Sequence, residues 1–239
     1  MKILQLNAWT GRMKGALKKF FAENEFDVIC LQEAVWCDDK LLEEFTVTAD
    51  QIKELSGLKH DIRGANYAFG AFGTKVMQGN VILSREEIVE GRIEVVHGEF
   101  LKLQSPEDVK RQGYTLEFAK LKSGVTIVCH HGYWLPTPVG DEVTVKVMKK
   151  VAGLIKEVDG PLVMCGDLNI IHDSPAMREL DFLRDLTDEY KIDNTLTGLK
   201  FDGKVACDHI LVSDDVKVKS FGTLPDLISD HKPLVVETH

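Results

Sequence analysis

Short apolar runs, with the β-branched or aliphatic composition typical of buried strands, recur along the chain and end in polar clusters. Three of these runs cover residues 2–6, 28–31 and 161–165. We expect such strands to deliver the polar side chains that follow them to one rim of the fold. The polar clusters are Asn7, Gln32-Glu33, Gly166-Asp167-Leu168-Asn169 and Ser229-Asp230-His231.

Apolar residues at helical spacing predict amphipathic helices between the strands. One helix is predicted over residues 12–23, and the longest over residues 142–158. Thr48 begins a capping-box motif, which predicts the start of another helix. Ser174 and Pro175 offer an N-cap and a first helical residue for a further one.

The remaining strand-like segments indicate two packed layers of sheet. A hairpin is predicted from 114–121 and 125–131, which a short Lys-Ser-Gly turn joins. Further strands are predicted over residues 81–84, 88–96, 210–212, 216–221 and 234–236. Many strands with a few amphipathic helices favour helices packed outside stacked sheets. We find no internal repeat, low-complexity tract or linker, so a single domain over residues 1–239 is predicted.

Composition limits the partners that the chain can have. The 239 residues are 44% hydrophobic, enough for a large core, and 29 basic against 38 acidic residues give a net charge of −9. This charge disfavours long-range attraction to nucleic acid or to an anionic membrane. Any phosphate binding must therefore come from a local site.

Cysteine usage and hydropathy indicate a cytoplasmic protein. The number of cysteines is odd and no metal-binding C-x-x-C pair occurs, so reduced thiols in a reducing compartment are expected. Neither a signal peptide nor about 18 consecutive apolar residues is present, so no membrane span is predicted. The five cysteines are Cys30, Cys37, Cys129, Cys165 and Cys207.

The polar clusters carry hard oxygen donors and no sulfur, which suits Mg²⁺, with Mn²⁺ as a possible substitute. Glu33 is the first choice as a direct metal ligand, because its carboxylate is a hard anion. Strand alternation puts Asp167 and Asn169 on the same face of an extended chain. There the carboxylate can orient and deprotonate a water while the amide holds a phosphate oxygen.

Histidines occur in three segments that carry candidate site residues, at positions 130–131, 209 and 231. Asp208 and His231 are expected to pair, with the aspartate fixing the tautomer and raising the basicity of the imidazole. The strand period places His209 opposite Asp208, away from the site. At most one of His130 and His131 can face the site, and a core histidine is expected for the other.

The motifs in this order resemble the endonuclease/exonuclease/phosphatase superfamily, which has the deoxyribonuclease-I-like fold, and the resemblance spans essentially the whole chain. It implies an α+β fold, a four-layer αββα sandwich of two mostly antiparallel or mixed sheets packed face to face with helices outside. It also implies Mg²⁺-dependent cleavage of a phosphoester. The matching set is Asn7, Leu31-Gln32-Glu33, Gly79-Asn80 before Val81, His131, Gly166-Asp167-Leu168-Asn169, Asp208-His209-Ile210 and Ser229-Asp230-His231.

The resemblance also implies a role for each matching residue. Its metal-site residues would be Asn7, Glu33 and Asp230, and its base for the attacking water would be Asp167. The remaining roles are Asn169 orienting phosphate or base, His131 and His231 contacting phosphate, Asp208 orienting His231, and Asn80 binding substrate.

Two features narrow the resemblance within the superfamily. Trp9 stands where abasic-site nucleases carry an aspartate, so that activity is not expected. The pairing of Asn7-Ala8-Trp9 with Glu33-Ala34-Val35-Trp36 is similar to neutral sphingomyelinase members over about the first forty residues. The membrane anchor of their animal members is not found in this sequence, so the substrate is not transferred.

Each tryptophan of the chain follows a proposed site residue within three positions, and this predicts an aromatic rim. Trp9, Trp36 and Trp134 follow Asn7, Glu33 and His131, and Tyr133 adds a fourth ring. Their flat faces would suit a base, a sugar or another ring. Packing of each tryptophan beneath its own loop is the alternative.

The sequence therefore predicts a Mg²⁺-dependent hydrolase that cleaves a phosphoester of a small phosphorylated substrate or nucleotide by in-line attack of water. Phosphomonoester and phosphodiester both remain open. One alternative is a nuclease acting on short or single-stranded nucleic acid. A catalytically silent binding protein on the same fold is the alternative from another class.

Overall fold

Two β-sheets packed face to face form the centre of the molecule, for which the computed structural model describes residues 1–71, 73–200 and 203–239. The strands are β1 (Lys2–Asn7), β2 (Val28–Trp36), β3 (His60–Ala71), β4 (Thr74–Ser84), β5 (Ile88–His97), β6 (Leu101–Lys102), β7 (Tyr114–Leu121), β8 (Thr126–His131), β9 (Leu162–Asp167), β10 (Arg184–Asp185), β11 (Asp208–Val212), β12 (Val218–Thr223) and β13 (Leu234–Thr238). The helices are α1 (Lys14–Glu23), α2 (Ala49–Ser56), α3 (Glu142–Ile155) and the single turn α4 (Leu186–Glu189).

Both sheets are mixed. The first has the strand order β12-β13-β1-β2-β4-β3-β6, and the second has the order β10-β11-β9-β8-β7-β5. The pairs β1-β2, β3-β6 and β8-β9 are parallel, whereas the other strand pairs are antiparallel. The predicted hairpin is β7-β8.

Three apolar clusters separate four layers. One cluster joins α1 and α2 to the outer face of the first sheet, and a second joins α3 to the outer face of the second sheet. The third lies between the sheets and includes Ile3, Ile82, Ile127 and Val163. The α+β, four-layer αββα sandwich predicted from the sequence is confirmed.

Local signals explain where the helices begin. Thr48 Oγ1 accepts from the N–H of Gln51, and Gln51 Oε1 accepts from the N–H of Thr48. The predicted capping box therefore begins α2. Asp141 caps α3 in the same way. The helix predicted after Ser174 is wrong: that segment forms a short 3₁₀ turn, Met177–Leu180. The hydroxyl of Ser174 donates to Val139 O and accepts from Ala176 N–H, which holds a turn there.

Side chains between the sheets change from apolar to polar toward one end of the strands, because alternate residues share a face. The inward series are Ile3, Gln5, Asn7 on β1, Ile127, Cys129, His131 on β8 and Val163, Cys165, Asp167 on β9. The polar ends of these series meet at one edge of the sandwich, since Asn7 bonds Asp167.

Among the described residues, no helix combines the length and apolar character needed to cross a bilayer.

Candidate active site

A cleft of about 1030 Å³ opens at this polar edge. We define it by the side chains that line it from β1–β2, β8, β9 and the loops beyond them. They include Trp9, Arg12, Glu33, His131, Tyr133, Trp134, Asp167, Asn169, Cys207, Asp230 and His231. The structure thus brings together most of the residues that the sequence pattern singled out.

Asp167, almost fully buried at the end of β9, lies at the centre of the polar contacts. Its Oδ2 accepts from Asn7 Nδ2 at 3.0 Å, and its Oδ1 accepts from the Asn169 N–H at 3.0 Å. The Nε2 atoms of His131 and His231 lie 3.5 and 3.7 Å from Oδ2. Two imidazoles, one at the end of β8 and one in the segment before β13, therefore face one carboxylate oxygen.

Electrostatics keep this carboxylate ionised. Burial alone would raise the pKa of Asp167, but the imidazoles of His231 and His131 and the Asn7 amide lower it below its usual value. An ionised carboxylate held among donors can accept a proton from a bound water. The geometry thus suits Asp167 to the role of a base.

His231 pairs with Asp208, as predicted. The two residues lie 2.8 Å apart from Nδ1 to Oδ2, and Gln5 Nε2 donates to the other Asp208 oxygen at 2.8 Å. Burial lowers the pKa of His231, but the carboxylates of Asp208 and Asp167 together raise it to about 10. The imidazole is consequently a cation near neutral pH.

Glu33 reaches the cleft through an irregular backbone. The pairing of β2 with β4 shifts register between Leu31 and Ala34, and Glu33 has a φ of 50° in the left-handed region. A bulge of this kind re-aims a side chain that regular alternation would direct elsewhere. Among the described residues, no basic side chain forms an ion pair with Glu33; its carboxylate accepts from Asn7 Nδ2 at 3.3 Å.

Asn7 contacts two acidic groups of the site. Its Oδ1 accepts from the Trp9 N–H at 3.0 Å, and its Nδ2 faces the carboxylates of Glu33 and Asp167. The backbone N–H of Trp9 can only donate, so it fixes which end of the amide faces the carboxylates. In this arrangement Asn7 orients the two acidic groups, and its place in a metal site stays a prediction.

The oxygen donors of the cleft fit a hard divalent cation. Glu33 and Asp230 both offer carboxylates to the cleft, and Asp230 already attracts a cation, because Lys200 Nζ lies 2.7 Å from its Oδ2. Carboxylate oxygens are the ligands that Mg²⁺ and Mn²⁺ prefer. Glu33 and Asp230 are therefore the cleft carboxylates best suited to a hard divalent cation.

A second donor group in the cleft is less suited to Mg²⁺. Ligand atoms of Asp167, Cys207, Asp208 and His231 all lie within 4.8 Å of one another. However, Asp208 already binds His231, and a protonated imidazole cannot donate an electron pair to a metal. The thiol of Cys207 is also a poor ligand for a hard ion.

Asn169 lines the cleft, but not on an extended chain as predicted. Strand β9 ends at Asp167, Leu168 turns into the core, and Asn169 has a left-handed φ of 57°. Its Nδ2 donates to Gly132 O at 3.0 Å. Asparagine tolerates this conformation better than most residues, so the turn accounts for its presence at this position.

Three of the four predicted rim rings line the cleft: Trp9, Tyr133 and Trp134, the last with 61% of its surface exposed. Trp36 does not line it. Its half-buried ring packs against the apolar cluster on the outer face of the first sheet, with the Arg63 guanidinium 6.0 Å from its centroid. The prediction of a substrate contact by Trp36 is therefore corrected to packing beneath its own loop.

Asn80 also lies outside the cleft. It is fully buried between the sheets, and its Nδ2 donates to Thr115 O at 3.1 Å. A side chain without exposed surface cannot contact substrate directly, so this predicted contact is corrected as well.

His130 and His209 occupy the core, as predicted, and bond to Thr115 O and to Asp185.

Sequence reasoning missed the lysines and the arginine of the cleft, among them Arg12 and Lys200. Both lie against the ring of Trp9, at 5.3 and 4.8 Å from its centroid. Lys200 carries no motif. The only available signal for Arg12 was the glycine before it, which marks a turn directly after the Asn7 cluster.

The two packed sheets, with helices outside and a polar cleft at one edge, define the class of protein as a four-layer αββα sandwich. A sequence profile described as Endonuclease/Exonuclease/phosphatase family matches residues 4–231, and the chain belongs to this family. A search of curated protein sequences gives no significant match.

Solved structures of low sequence identity share the fold. An endonuclease/exonuclease/phosphatase from Beutenbergia cavernae superposes with a TM-score of 0.71 at 18% identity, over 100% of this chain and 71% of that one. For a mannosyl-6-phosphatase from Bacteroides thetaiotaomicron the TM-score is 0.71 at 17% identity, covering 100% and 99%. For sphingomyelinase C from Streptomyces griseocarneus it is 0.63 at 13% identity, covering 99% and 98%.

Proposed function

We propose that this protein is a Mg²⁺-dependent phosphoesterase in which water, oriented and deprotonated by Asp167, attacks phosphorus in line with the leaving group. One observation carries the proposal: the ionised, buried carboxylate of Asp167 lies 3.5 and 3.7 Å from the Nε2 atoms of His131 and His231. The proposed base and two imidazoles that can bind phosphate thus lie next to one another in the cleft.

Each residue has a defined task in this reaction. Asp167 takes the proton of the attacking water, and the Asn169 N–H holds the other oxygen of that carboxylate. His231, cationic through Asp208, donates to a phosphoryl oxygen and stabilises the added negative charge. A Mg²⁺ ion held by Glu33 and Asp230 would supply Lewis-acid stabilisation of the same charge.

The substrate class that we propose is a small phosphorylated molecule or nucleotide. A cleft of about 1030 Å³ holds a ligand much larger than a phosphoryl group. The structural relatives include a phosphatase and a sphingomyelinase, so both monoesters and diesters are candidates. All five cysteines are free, which supports a reducing, cytoplasmic location.

A nuclease for short or single-stranded nucleic acid is the second candidate. Trp9, Tyr133 and Trp134 line the cleft and support it, because exposed rings stack on bases of any sequence. The net charge of −9 disfavours long polyanions, so the oligonucleotide would have to be short. A silent binding protein is disfavoured by the assembled Asp167, His131 and His231 contacts, which ligand binding alone does not require.

A screen with and without metal tests the proposal. Purified protein is incubated with phosphomonoesters, phosphodiesters, nucleotides, lipid head groups and oligonucleotides, in Mg²⁺, in Mn²⁺ and after chelation. We expect hydrolysis of at least one class of phosphoester that stops when the metal is chelated and returns when Mg²⁺ is restored. Hydrolysis that is unaffected by chelation would contradict the metal-dependent mechanism, and inactivity on every class would favour the silent binding protein.

A further inference from the structure

Arg12 is a cleft cation without a carboxylate partner among the described residues. Its Nε donates to Thr10 Oγ1 at 3.2 Å, and its guanidinium carbon lies 5.3 Å from the centroid of the Trp9 ring. Guanidinium groups stack on aromatic faces and retain free N–H donors at their edges. Arg12 is therefore held on the wall of the cleft with hydrogen-bonding capacity to spare.

The backbone beneath Arg12 is strained and fixed in place. Trp9, Thr10 and Gly11 have consecutive left-handed φ angles of 47°, 53° and 72°. Non-glycine residues adopt this conformation at a cost and keep it only where surrounding structure holds them. Here Gly11 O accepts from the Val47 N–H at 3.1 Å, and a Cβ on Gly11 would overlap Val47 O.

The other cations that line the cleft already have acidic partners. Lys200 Nζ lies 2.7 Å from Asp230, and Lys110 Nζ lies 2.9 Å from Glu107. The imidazoles of His131 and His231 face Asp167, at the position proposed for the scissile phosphate. Arg12 thus supplies positive charge for a different part of the ligand.

We propose that Arg12 binds a second anionic group of the substrate, so that the preferred substrates are phosphoesters with an additional carboxylate or phosphate near the ring of Trp9. The inference rests on the proposed function only for the position of the scissile phosphate beside Asp167. It defines a substrate class that the motif residues alone do not define. Arg12 acts here as a specificity-determining residue and takes no part in the bond-breaking step.

A matched pair of substrates tests this assignment. Phenyl phosphate and para-carboxyphenyl phosphate differ by one carboxylate, and their methyl diesters provide the same comparison for a diesterase. The substitutions are Arg12→Met, which removes the charge, Arg12→Lys, which keeps it without the planar fork, and Arg178→Met as a control. Arg178 is an exposed arginine on the 3₁₀ turn Met177–Leu180, and it does not line the cleft.

We expect the wild type to prefer the carboxylated ester, and Arg12→Met to lower that preference in kcat/KM about tenfold through KM, as for loss of one charge-assisted hydrogen bond. Arg12→Lys should keep part of the preference, and Arg178→Met all of it. The inference is overturned if the wild type shows no preference or if Arg12→Met affects both esters equally.

Equilibrium binding separates this inference from the proposed reaction. Dissociation constants for both phosphates are measured by isothermal titration calorimetry with Mg²⁺, in the wild type and the Arg12 variants. A preference that depends on Arg12 but occurs without turnover would refute the phosphoesterase and leave the anion site standing. Turnover without a preference, or no binding of the carboxylated ligand, would refute the anion site.

Discussion

The imidazole of His231 donates from Nδ1 to Asp208 Oδ2 across 2.8 Å, and this pair lies directly behind the proposed phosphate position. Gln5 donates to the other oxygen of Asp208 at 2.8 Å, so the carboxylate cannot rotate away without losing a buried hydrogen bond. The orientation of His231 is thereby determined by residues that do not touch substrate. This arrangement makes the two side chains one functional unit.

Substitution of this pair should show non-additive losses. Asp208→Ala and His231→Ala are each expected to lower kcat about a hundredfold. The double variant should lose little more than His231→Ala alone, because an aspartate that only orients an imidazole has no further role once the imidazole is gone. Turnover in all four proteins gives the coupling, and losses that simply multiply would show that the residues act separately.

Glu33→Gln should weaken the binding of Mg²⁺, because a neutral amide replaces an anionic ligand of the cleft. We expect the midpoint of the Mg²⁺ activation curve to rise at least about tenfold, with partial recovery of activity at high metal concentration. Glu54→Gln is the control, since Glu54 is exposed on α2 and does not line the cleft. An unchanged midpoint in Glu33→Gln would remove Glu33 from the metal site.

Glu117 is fully buried on β7, and neither of its carboxylate oxygens makes a hydrogen bond of normal geometry among the described residues. Burial raises its pKa to about 8, so the folded protein holds Glu117 as a neutral acid at neutral pH. The Oδ1 of Asn80 also lacks a partner among these residues. Buried oxygen atoms without donors disfavour a negative charge on Glu117.

The free energy of unfolding should therefore depend on pH through Glu117. The folded state keeps a proton that the unfolded state releases near its ordinary pKa, so this stabilisation is complete below that value and declines until about pH 8. Glu117→Gln cannot titrate. We expect the stability of the variant relative to the wild type to increase from about pH 5 to about pH 8 and then level off, measured by chemical denaturation. Parallel profiles would mean that Glu117 is ionised when folded.

Two tryptophans provide a paired test of ring binding. Trp134→Ala should raise the KM of an aryl phosphoester about tenfold and leave that of glycerol phosphate unchanged, because the lost stacking acts only on a ring. Trp36→Phe, outside the cleft, should affect neither substrate. Equal effects of Trp134→Ala on both esters, in a folded variant, would assign Trp134 to packing.

The sequence predicted the position of a site residue wherever that residue lies at the end of a regular strand. Asp167, His131 and Asn7 each end a run whose inward residues alternate, so their convergence follows from the period of a strand. The core position of His209 was predictable for the same reason, whereas the pairing of Asp208 with His231 was expected from the chemistry of a carboxylate and an imidazole. Asn7, His131, Asp167 and His209 all lie within regular strands.

The parts of the site and of the fold that the sequence did not predict depend on irregular backbone or on strands of polar composition. Glu33 and Asn169 both have left-handed φ angles, a conformation that asparagine tolerates but that a glutamate does not predict. The turn at Trp9 presents Arg12, and its conformation depends on contacts with residue 47, distant in sequence. Strand β3 was not predicted because it lacks a continuous apolar run; Asn66 is buried there by bonds to Thr115.

Turnover of Asp167→Asn tests the central claim most directly, because the substitution removes the proposed base and changes little in size. With an active phosphoester and saturating Mg²⁺, we predict a loss of kcat of at least about a hundredfold, while the thermal unfolding midpoint stays close to that of the wild type. Asp181→Asn, at an exposed aspartate outside the cleft, should retain full activity. Near-normal turnover of folded Asp167→Asn would contradict the mechanism proposed for this site.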